Sequence, residues 1–351
     1  MNPYERLLRP LLFRLDPERA HRLTIATLAR MPSLRWKRDL SVLGTTVFGL
    51  EFGNPIGLAA GLDKDARAVA AWSTIGFGFA ELGTITPRPQ SGNPAPRMWR
   101  VPEYRALINR LGFPSDGMDV VASRVERARQ RGGAIRLGLN FGPNRETLPE
   151  SVPGDYSELV AKMGHLADFI VVNLSSPNTP GLREFQAPER MRTIVEAIRV
   201  APIRGDHRPP LLVKLAPDLE PLMLREVCAA ARELALDGIV ATNTTIRREE
   251  VGVRSALAGG LSGEPLRQRA REIIAHIWRD TGGTLPIIGV GGIATGADAY
   301  GHIRAGASLV ELYTGFIYRG PQIVRKIKAE LASLLIRDGF RSISEATGAD
   351  A

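Results

Sequence analysis

The sequence predicts an α/β protein of the (β/α)8 TIM-barrel class with a small N-terminal helical extension, and three features predict it. Short, largely apolar runs recur from residue 54 onward, amphipathic stretches such as Leu222 to Leu234 separate most of them, and the runs number eight. They are Ile56–Ala60, Phe79–Leu82, Ile135–Leu139, Phe169–Val172, Leu211–Leu215, Ile239–Ala241, Ile287–Val290 and Leu309–Leu312. Runs that are apolar at nearly every position suit strands buried on both faces. Strand alternating with helix implies a parallel sheet with right-handed crossovers. A doubly wound open sheet is the alternative, but the glycine fingerprint that would follow its first strand is absent. On this reading the chain divides into an extension over residues 1–50, a barrel over 51–340 and a tail over 341–351, whose last residues, Glu345 to Ala351, are expected to fray.

The C-terminal ends of barrel strands converge on one site, so what each run ends in matters. In order, the ends carry Gly61-Leu-Asp-Lys64, Gly83-Thr84, Asn140, Asn173 with Ser176 and Asn178, Lys214, Thr242-Asn243-Thr244, Gly291-Gly292 and Tyr313-Thr314-Gly315. Any one of these suits an ordinary turn. Polar or glycine residues at all eight argue for a ligand site. The fourth end is the most informative: Asn173, Ser175, Ser176, Asn178 and Thr179 crowd it, and Pro177 and Pro180 stiffen it. Such short neutral side chains bind a flat polar ligand through directed hydrogen bonds, and a hydroxyl can move a proton. Gly289-Val-Gly-Gly292 and Tyr313-Thr-Gly315 bring backbone N–H groups together where barrels of this class hold phosphate. Gly259-Gly-Leu-Ser-Gly263, after the sixth run, is expected to add a third amide-rich loop.

Composition bounds the rest. The 351 residues are 44% hydrophobic and 24% charged, the balance of a soluble globular protein. The single cysteine, Cys228, excludes an internal disulfide framework and a cysteine-cluster metal site, and it suits a reducing cytoplasm. The net charge of +9 comes from scattered arginines without an aromatic-interleaved basic motif, so no nucleic-acid partner is expected. No run approaches a membrane span. Residues 3–15 nevertheless pair Leu7, Leu8, Leu11, Leu12 and Leu15 with Arg6, Arg9 and Arg14. That pattern suits a helix lying on an anionic membrane surface, and equally a terminal helix packed on its own domain.

No Ser-His-Asp triad is readable: none of His21, His165, His207, His276 and His302 ends a strand. Asp63 is the only acid in a strand-end motif, so no metal is expected and the site reads as cationic, amide-rich and hydroxyl-rich. Such a site suits an anionic substrate beside a cofactor that does the electron chemistry.

Ala59-Ala-Gly-Leu-Asp-Lys64, Gly83-Thr-Ile-Thr-Pro-Arg-Pro-Gln90, Asn109-Arg-Leu-Gly-Phe113, Asn173-Leu-Ser-Ser-Pro-Asn-Thr-Pro-Gly-Leu-Arg183 and Ala241-Thr-Asn-Thr-Thr245 resemble the membrane-associated, quinone-dependent class 2 dihydroorotate dehydrogenases. The match runs in order from about residue 5 to 335, and Leu15-Asp-Pro-Glu-Arg-Ala-His21 resembles that class's N-terminal extension. The resemblance implies FMN-dependent oxidation of (S)-dihydroorotate to orotate in pyrimidine biosynthesis, with one FMN per chain and a membrane quinone as acceptor. It implies a monomer, peripheral at the cytoplasmic face of the inner membrane. By motif, Ser176 would be the catalytic base that takes the C5 proton, with a relay through Thr179 or a water. Lys214 would stabilise the charge of the reduced flavin. Lys64, Asn109, Arg110, Leu111, Gly112, Phe113, Asn173, Asn178, Asn243 and Thr244 would bind substrate. Ala60, Gly61, Leu62, Asp63, Lys64, Thr84, Asn140, Asn173, Lys214, Thr242, Gly263, Gly292, Tyr313 and Thr314 would bind FMN. His21 and Arg100 resemble quinone-tunnel residues.

The soluble members of the family use a cysteine as base where this chain has Ser176, and Cys228 lies inside a helical stretch, expected in the core. The chain departs from the family at Asp65-Ala66, where Asn-Gly is often found, and at Pro114-Ser115, where Asn-Asn is usual. Two rival readings are a flavin-dependent barrel oxidising another dihydropyrimidine or a 2-hydroxy acid, and a non-redox basic barrel binding nucleotides or RNA through its phosphate cradle.

Overall fold

The computed structural model describes residues 3–32, 39–132, 135–205, 208–249, 251 and 257–351. Eight parallel strands close a barrel. They are β3 (Ile56–Leu58), β4 (Phe79–Ile85), β7 (Arg136–Phe141), β8 (Phe169–Asn173), β9 (Leu211–Leu215), β10 (Gly238–Ala241), β12 (Ile287–Val290) and β13 (Leu309–Leu312), and each coincides with a run read from the sequence. The ring closes where β13 pairs with β3 and where β10 pairs with β12 and β9.

The other strands lie outside the barrel. β1 (Thr45–Val47) and β2 (Leu50–Phe52) form an antiparallel hairpin. Its Phe48 and Phe52 rings meet Phe169 and Phe79, with centroids 6.2 and 5.6 Å apart, so aromatic rings close the N-terminal mouth. The hairpin runs across the boundary expected at residue 50. β5 (Met98–Val101), β6 (Ala106–Asn109) and β11 (Gly260–Gly263) form a small antiparallel sheet. The Gly259–Gly263 segment, expected as a loop, therefore pairs along β6. Its backbone groups are committed to a ladder because the β5–β6 hairpin offers it an edge.

Inside the barrel the strands alternate strictly. Phe79, Phe169, Val171, Leu212, Val240, Ile288 and Leu309 pack together in the interior, while Ala80, Ile170, Val213, Ile239 and Val310 belong to the outer core under the helices. Gly138 shows how tight the inner packing is: a Cβ there would lie 2.2 Å from Cε2 of Phe169.

Helices α1 (Arg9–Arg14) and α2 (Pro17–Leu28) precede the hairpin. Asp16 caps α2 by accepting the Glu18 and Arg19 N–H groups, and Pro17 fills the first helical position, where no N–H is needed. The barrel grips both helices. Arg97 forms a two-point ion pair with Glu18, Arg100 donates to the Leu12, Phe13 and Leu15 carbonyls that end α1, and the Tyr4 hydroxyl donates to Ile317. Outward, Leu7, Leu8, Leu11, Leu15 and Leu23 remain exposed.

The tail is not frayed. Helix α12 (Ile343–Ala346) buries Ile343 and Ala346, and the Gly348 and Asp350 N–H groups donate to Ile303 and Arg304 of α9 (Gly296–Arg304). Short side chains let this last turn dock against α9. Cys228 lies buried in α7 (Pro221–Glu233), where burial pushes its thiol up to about 12, as suits a core residue.

Gly138→Ala is expected to lower stability by at least about 2 kcal/mol, because the added methyl overlaps an aromatic ring held on all sides. Thermal unfolding of the variant beside the parent chain checks this.

Candidate active site

Strand alternation also selects which polar residues enter the barrel. Two residues beyond Phe79 lies Glu81; in the same way Asn140 follows Gly138, Asn173 follows Val171, Lys214 follows Leu212 and Glu311 follows Leu309. All five are buried and stand one layer above the apolar plug. Lys214 Nζ donates to both Glu81 oxygens at 3.1 Å. Asn140 Nδ2 donates to Glu81, Thr84 Oγ1 donates to Asn140 Oδ1 at 2.6 Å, and Asn173 Nδ2 donates to Thr84 Oγ1 at 2.9 Å. Asn243 Nδ2 then bonds Asn173 Oδ1 and Ser175 Oγ at 3.3 and 2.9 Å. A continuous hydrogen-bonded chain thus runs from the buried ammonium to the β8 loop.

That loop is pinned from outside by Arg183, which donates to the Ser175 and Thr244 carbonyls and pairs with Asp218 at 2.9 Å. Ser176 faces the pocket. Its Oγ accepts the Asn178 N–H at 3.2 Å, and neither an acid nor a histidine is among its hydrogen-bond partners. Thr179 Oγ1 is buried without a partner, so a path between the two hydroxyls needs an intervening water or substrate atom. Asn178 Nδ2 reaches Asn109 Oδ1 at 3.3 Å, which joins the loop to β6.

The loop after β3 is shaped by Asp63. Its carboxylate accepts from the Arg67 and Ala68 N–H groups and from Trp72 Nε1, all within 2.9 Å. Lys64 Nζ donates to the Gly61 carbonyl at 2.6 Å, and burial pulls the ammonium down to about 8.

Opposite this wall, the ends of β11, β12 and β13 make a cradle of small residues: Ser262, Gly263, Gly291, Gly292, Thr314 and Gly315. Gly292 has φ +70°, and a Cβ there would lie 2.5 Å from the Arg267 Cα, so only glycine lets the two loops approach. Arg267 donates to the Gly292 carbonyl at 3.0 Å and pairs with Asp298, whose carboxylate also accepts the Ala294 and Thr295 N–H groups. Helix α10 (Thr314–Arg319) starts at this wall without a side-chain cap, leaving its first N–H groups for a ligand.

The pocket has a cavity volume of about 150 Å³ and opens to solvent. It brings together Ala60, Gly61, Lys64, Thr84, Asn109, Leu111, Gly112, Phe113, Asn173, Ser176, Asn178, Lys214, Thr242, Asn243, Thr244, Gly263, Gly292, Tyr313 and Thr314 from the residues singled out in the sequence. Four others support it from behind or stand beside it. Asn140 acts through Thr84 and Asn173, Asp63 is spent on its loop, Leu62 turns to a neighbouring cavity, and Arg110 stacks over Trp99. Sequence reasoning missed Glu81 and Glu311, and the site is therefore not simply cationic. The two-residue offset from Phe79 and Leu309 was the available signal. His165, His276 and His302 lie away from the pocket, and His207 lies outside the described residues. Among the described residues no group of His, Cys, Asp and Glu is placed to hold a metal.

A second, apolar cavity of about 110 Å³ separates α1 and α2 from the barrel; Phe13, Ile25, Leu28, Leu62, Trp72 and Phe316 line it, with His21 and Arg100 among them. His21 also faces a polar cavity that reaches Lys64, and burial drives its imidazole down to about 3, so it stays neutral.

A closed parallel barrel with a small-residue cradle and an amide-lined loop at the strand ends defines a barrel enzyme whose pocket lies at the strand ends. The family model described as dihydroorotate dehydrogenase matches residues 42–335, and the chain belongs to that family. Dihydroorotate dehydrogenase (quinone) of Rhodospirillum rubrum is 48% identical over 355 residues, covering 100% of this chain and 95% of that protein. The same enzyme of Gloeobacter violaceus is 49% identical over 353 residues, covering 98% of each. A crystal structure of DHODH in complex with ferulenol from Eimeria tenella superposes with a TM-score of 0.90 at 41% identity, over 95% of this chain and 96% of that one.

The departure at Asp65-Ala66 has a conformational cost. Ala66 is held at φ +53°, a region that favours glycine, and Asp65 offsets this by accepting the Asp116 N–H at 2.9 Å. Ala66→Gly should therefore raise stability, by up to about 1 kcal/mol, against the usual cost of a glycine. A lower melting temperature in the variant would show that Ala66 is unstrained.

Proposed function

We propose that the chain oxidises (S)-dihydroorotate to orotate with one bound FMN and a membrane quinone as electron acceptor, a step in de novo pyrimidine biosynthesis. The observation that carries the reading is the convergence of Ser176, Lys64 and the amides of Asn109, Asn173, Asn178 and Asn243 beside the cradle at Gly292 and Thr314.

The residues fit FMN. Gly292, where a Cβ would collide with Arg267, lets the loops of the cradle suited to its phosphate come together, the Lys214 ammonium on the pocket floor suits an edge that gains negative charge, and Tyr313 and Thr84 offer walls for a flat ring. FMN, when bound, supplies the acceptor for the C6 hydride and passes the electrons on to the quinone. The protein's own part is proton handling and positioning. Ser176 takes the C5 proton, and Thr179, buried and unpartnered, is the next hydroxyl able to receive it through a water. The four asparagines, with Thr244, hold the amide and carboxylate edges of the substrate, and Lys64 supplies the cation for its carboxylate. Arg110, stacked over Trp99, orders the Asn109–Phe113 segment from behind.

The quinone is taken to enter between α1 and α2 through the apolar cavity that His21 and Arg100 line. Exposed Leu7, Leu8 and Leu11 beside Arg6, Arg9 and Arg14 suit docking on anionic lipid, so residues 1–50 serve as membrane-associating extension and 51–340 as catalytic barrel. Among the described residues no helix is long and apolar enough to cross a membrane; the protein is taken to be peripheral, at the cytoplasmic face of the inner membrane. The chain is taken to act as a monomer.

An anaerobic visible spectrum of the purified protein tests this. Flavin absorbance should bleach with dihydroorotate and return with a quinone, and Ser176→Ala should slow the bleaching by roughly 10²–10⁴-fold. Flavin that stays oxidised would remove the substrate; a colourless protein that cannot be reconstituted with FMN would remove the flavoenzyme.

The Lys64 ammonium predicts a pH dependence. Its proton is lost as pH rises through about 8, and an anion bound beside it must then restore that proton. Orotate affinity should fall by up to about tenfold per pH unit above that point. Lys64→Gln should bind weakly with a flat profile, and an unchanged slope in this variant would assign the titration elsewhere.

A further inference from the structure

The pocket floor holds two carboxyl groups and one ammonium, and their bonding is unequal. Lys214 Nζ lies 3.1 Å from each Glu81 oxygen, and Asn140 gives Glu81 a further N–H. Glu311 Oε2 lies 3.8 Å from the same Nζ, beyond hydrogen-bond reach. Among the described residues neither Glu311 oxygen accepts a hydrogen bond, although the side chain is fully buried and borders the pocket. The flanking strands place Val290 and Gly57 beside it in register, so Glu81 and Lys214 are the charged groups facing it, with the Tyr313 phenol two residues along.

One ammonium cannot neutralise two buried carboxylates. An ionised Glu311 would be a desolvated charge without a hydrogen bond, a state that proteins avoid by holding a proton. Burial, with the Glu81 carboxylate alongside, pushes Glu311 well above the usual carboxylate range. As a neutral acid it carries one O–H donor; within the fold the Glu81 carboxylate stands beside it as an acceptor, and the pocket it borders is the direction from which a ligand edge would offer another.

We propose that Glu311 is a protonated acid whose O–H hydrogen-bonds an acceptor on the edge of the bound flavin, next to Lys214, and thereby sets both the affinity for the ring and the neutrality of the floor beneath it. This rests on the reading of the pocket as a flavin site. With the proton in place, Lys214 and Glu81 cancel. Without it, the floor is net negative beneath a ring that must accept electrons.

Infrared spectra of the full chain and its variants test the proton directly. The parent should show the carbonyl band of a protonated carboxylic acid at neutral pH, and Glu311→Gln should remove it. FMN titrated into the cofactor-stripped chain should bind Glu311→Gln within about twofold of the parent, since the amide keeps a donor and no charge. Glu311→Leu should bind about tenfold more weakly. A band that survives Glu311→Gln, or that disappears in Glu81→Gln while Glu311→Gln keeps it, would overturn the assignment, as would equal FMN affinity for Glu311→Leu and the parent. Absence of the band in an FMN-loaded parent would overturn the role of Glu311 alone. The band behaving as expected in a chain that takes up no FMN would overturn the flavin reading and the acceptor named here.

Discussion

Lys214 carries an ammonium into the interior of a closed barrel, and the architecture around the site answers the need to neutralise it. Glu81 meets it with both oxygens, and Glu81 is in turn fixed by Asn140. From there each acceptor is satisfied by the next donor: Thr84 on Asn140, Asn173 on Thr84, Asn243 on Asn173 and Ser175. A buried polar network of this kind is costly when partly satisfied and rigid when complete. Here it transmits the position of one buried charge to the loop that presents Ser176.

The scaffold keeps that network dry and still. Below it, Phe48, Phe52, Phe79 and Phe169 close the barrel mouth. Above it, Asp63 and Arg183 each fasten a loop through three contacts, one from inside the fold and one from its rim. Ser176 consequently sits on a loop whose backbone is held at both sides, and it lacks the neighbouring base that would activate a serine in water. On the proposed reading the proton leaves C5 as the neighbouring C6 gives up its hydride, so the chemistry would be divided between a weak base and a strong electron acceptor.

The N-terminal helices solve a separate problem. Tyr4, Arg97 and Arg100 tie them to the barrel by polar bonds, yet the space between stays apolar and the outer leucines stay exposed. On the proposed reading, a helix pair fastened at its edges and open in the middle would let an apolar molecule in without loosening the loops of the pocket.

Much of this was legible in the chain itself. Eight runs at the right spacing placed eight strands, and the residues at their ends placed most of the pocket, because strand ends in a parallel barrel share one rim whatever the loops do. The Asn173–Arg183 segment identified its family for the same reason: it stands at such an end. What escaped were features set by pairs distant in sequence. Glu81 and Glu311 lay inside runs that looked apolar, and only closure of the barrel turned both toward Lys214. Gly259–Gly263 looked like a free loop until β6 gave it an edge, and the tail looked frayed until α9 gave it a surface. Composition and period determined which segments become strands and which residues stand at the rim, since both are local. The tertiary structure decided which polar groups face one another inside the barrel, because burial makes a charge find its partner across the fold.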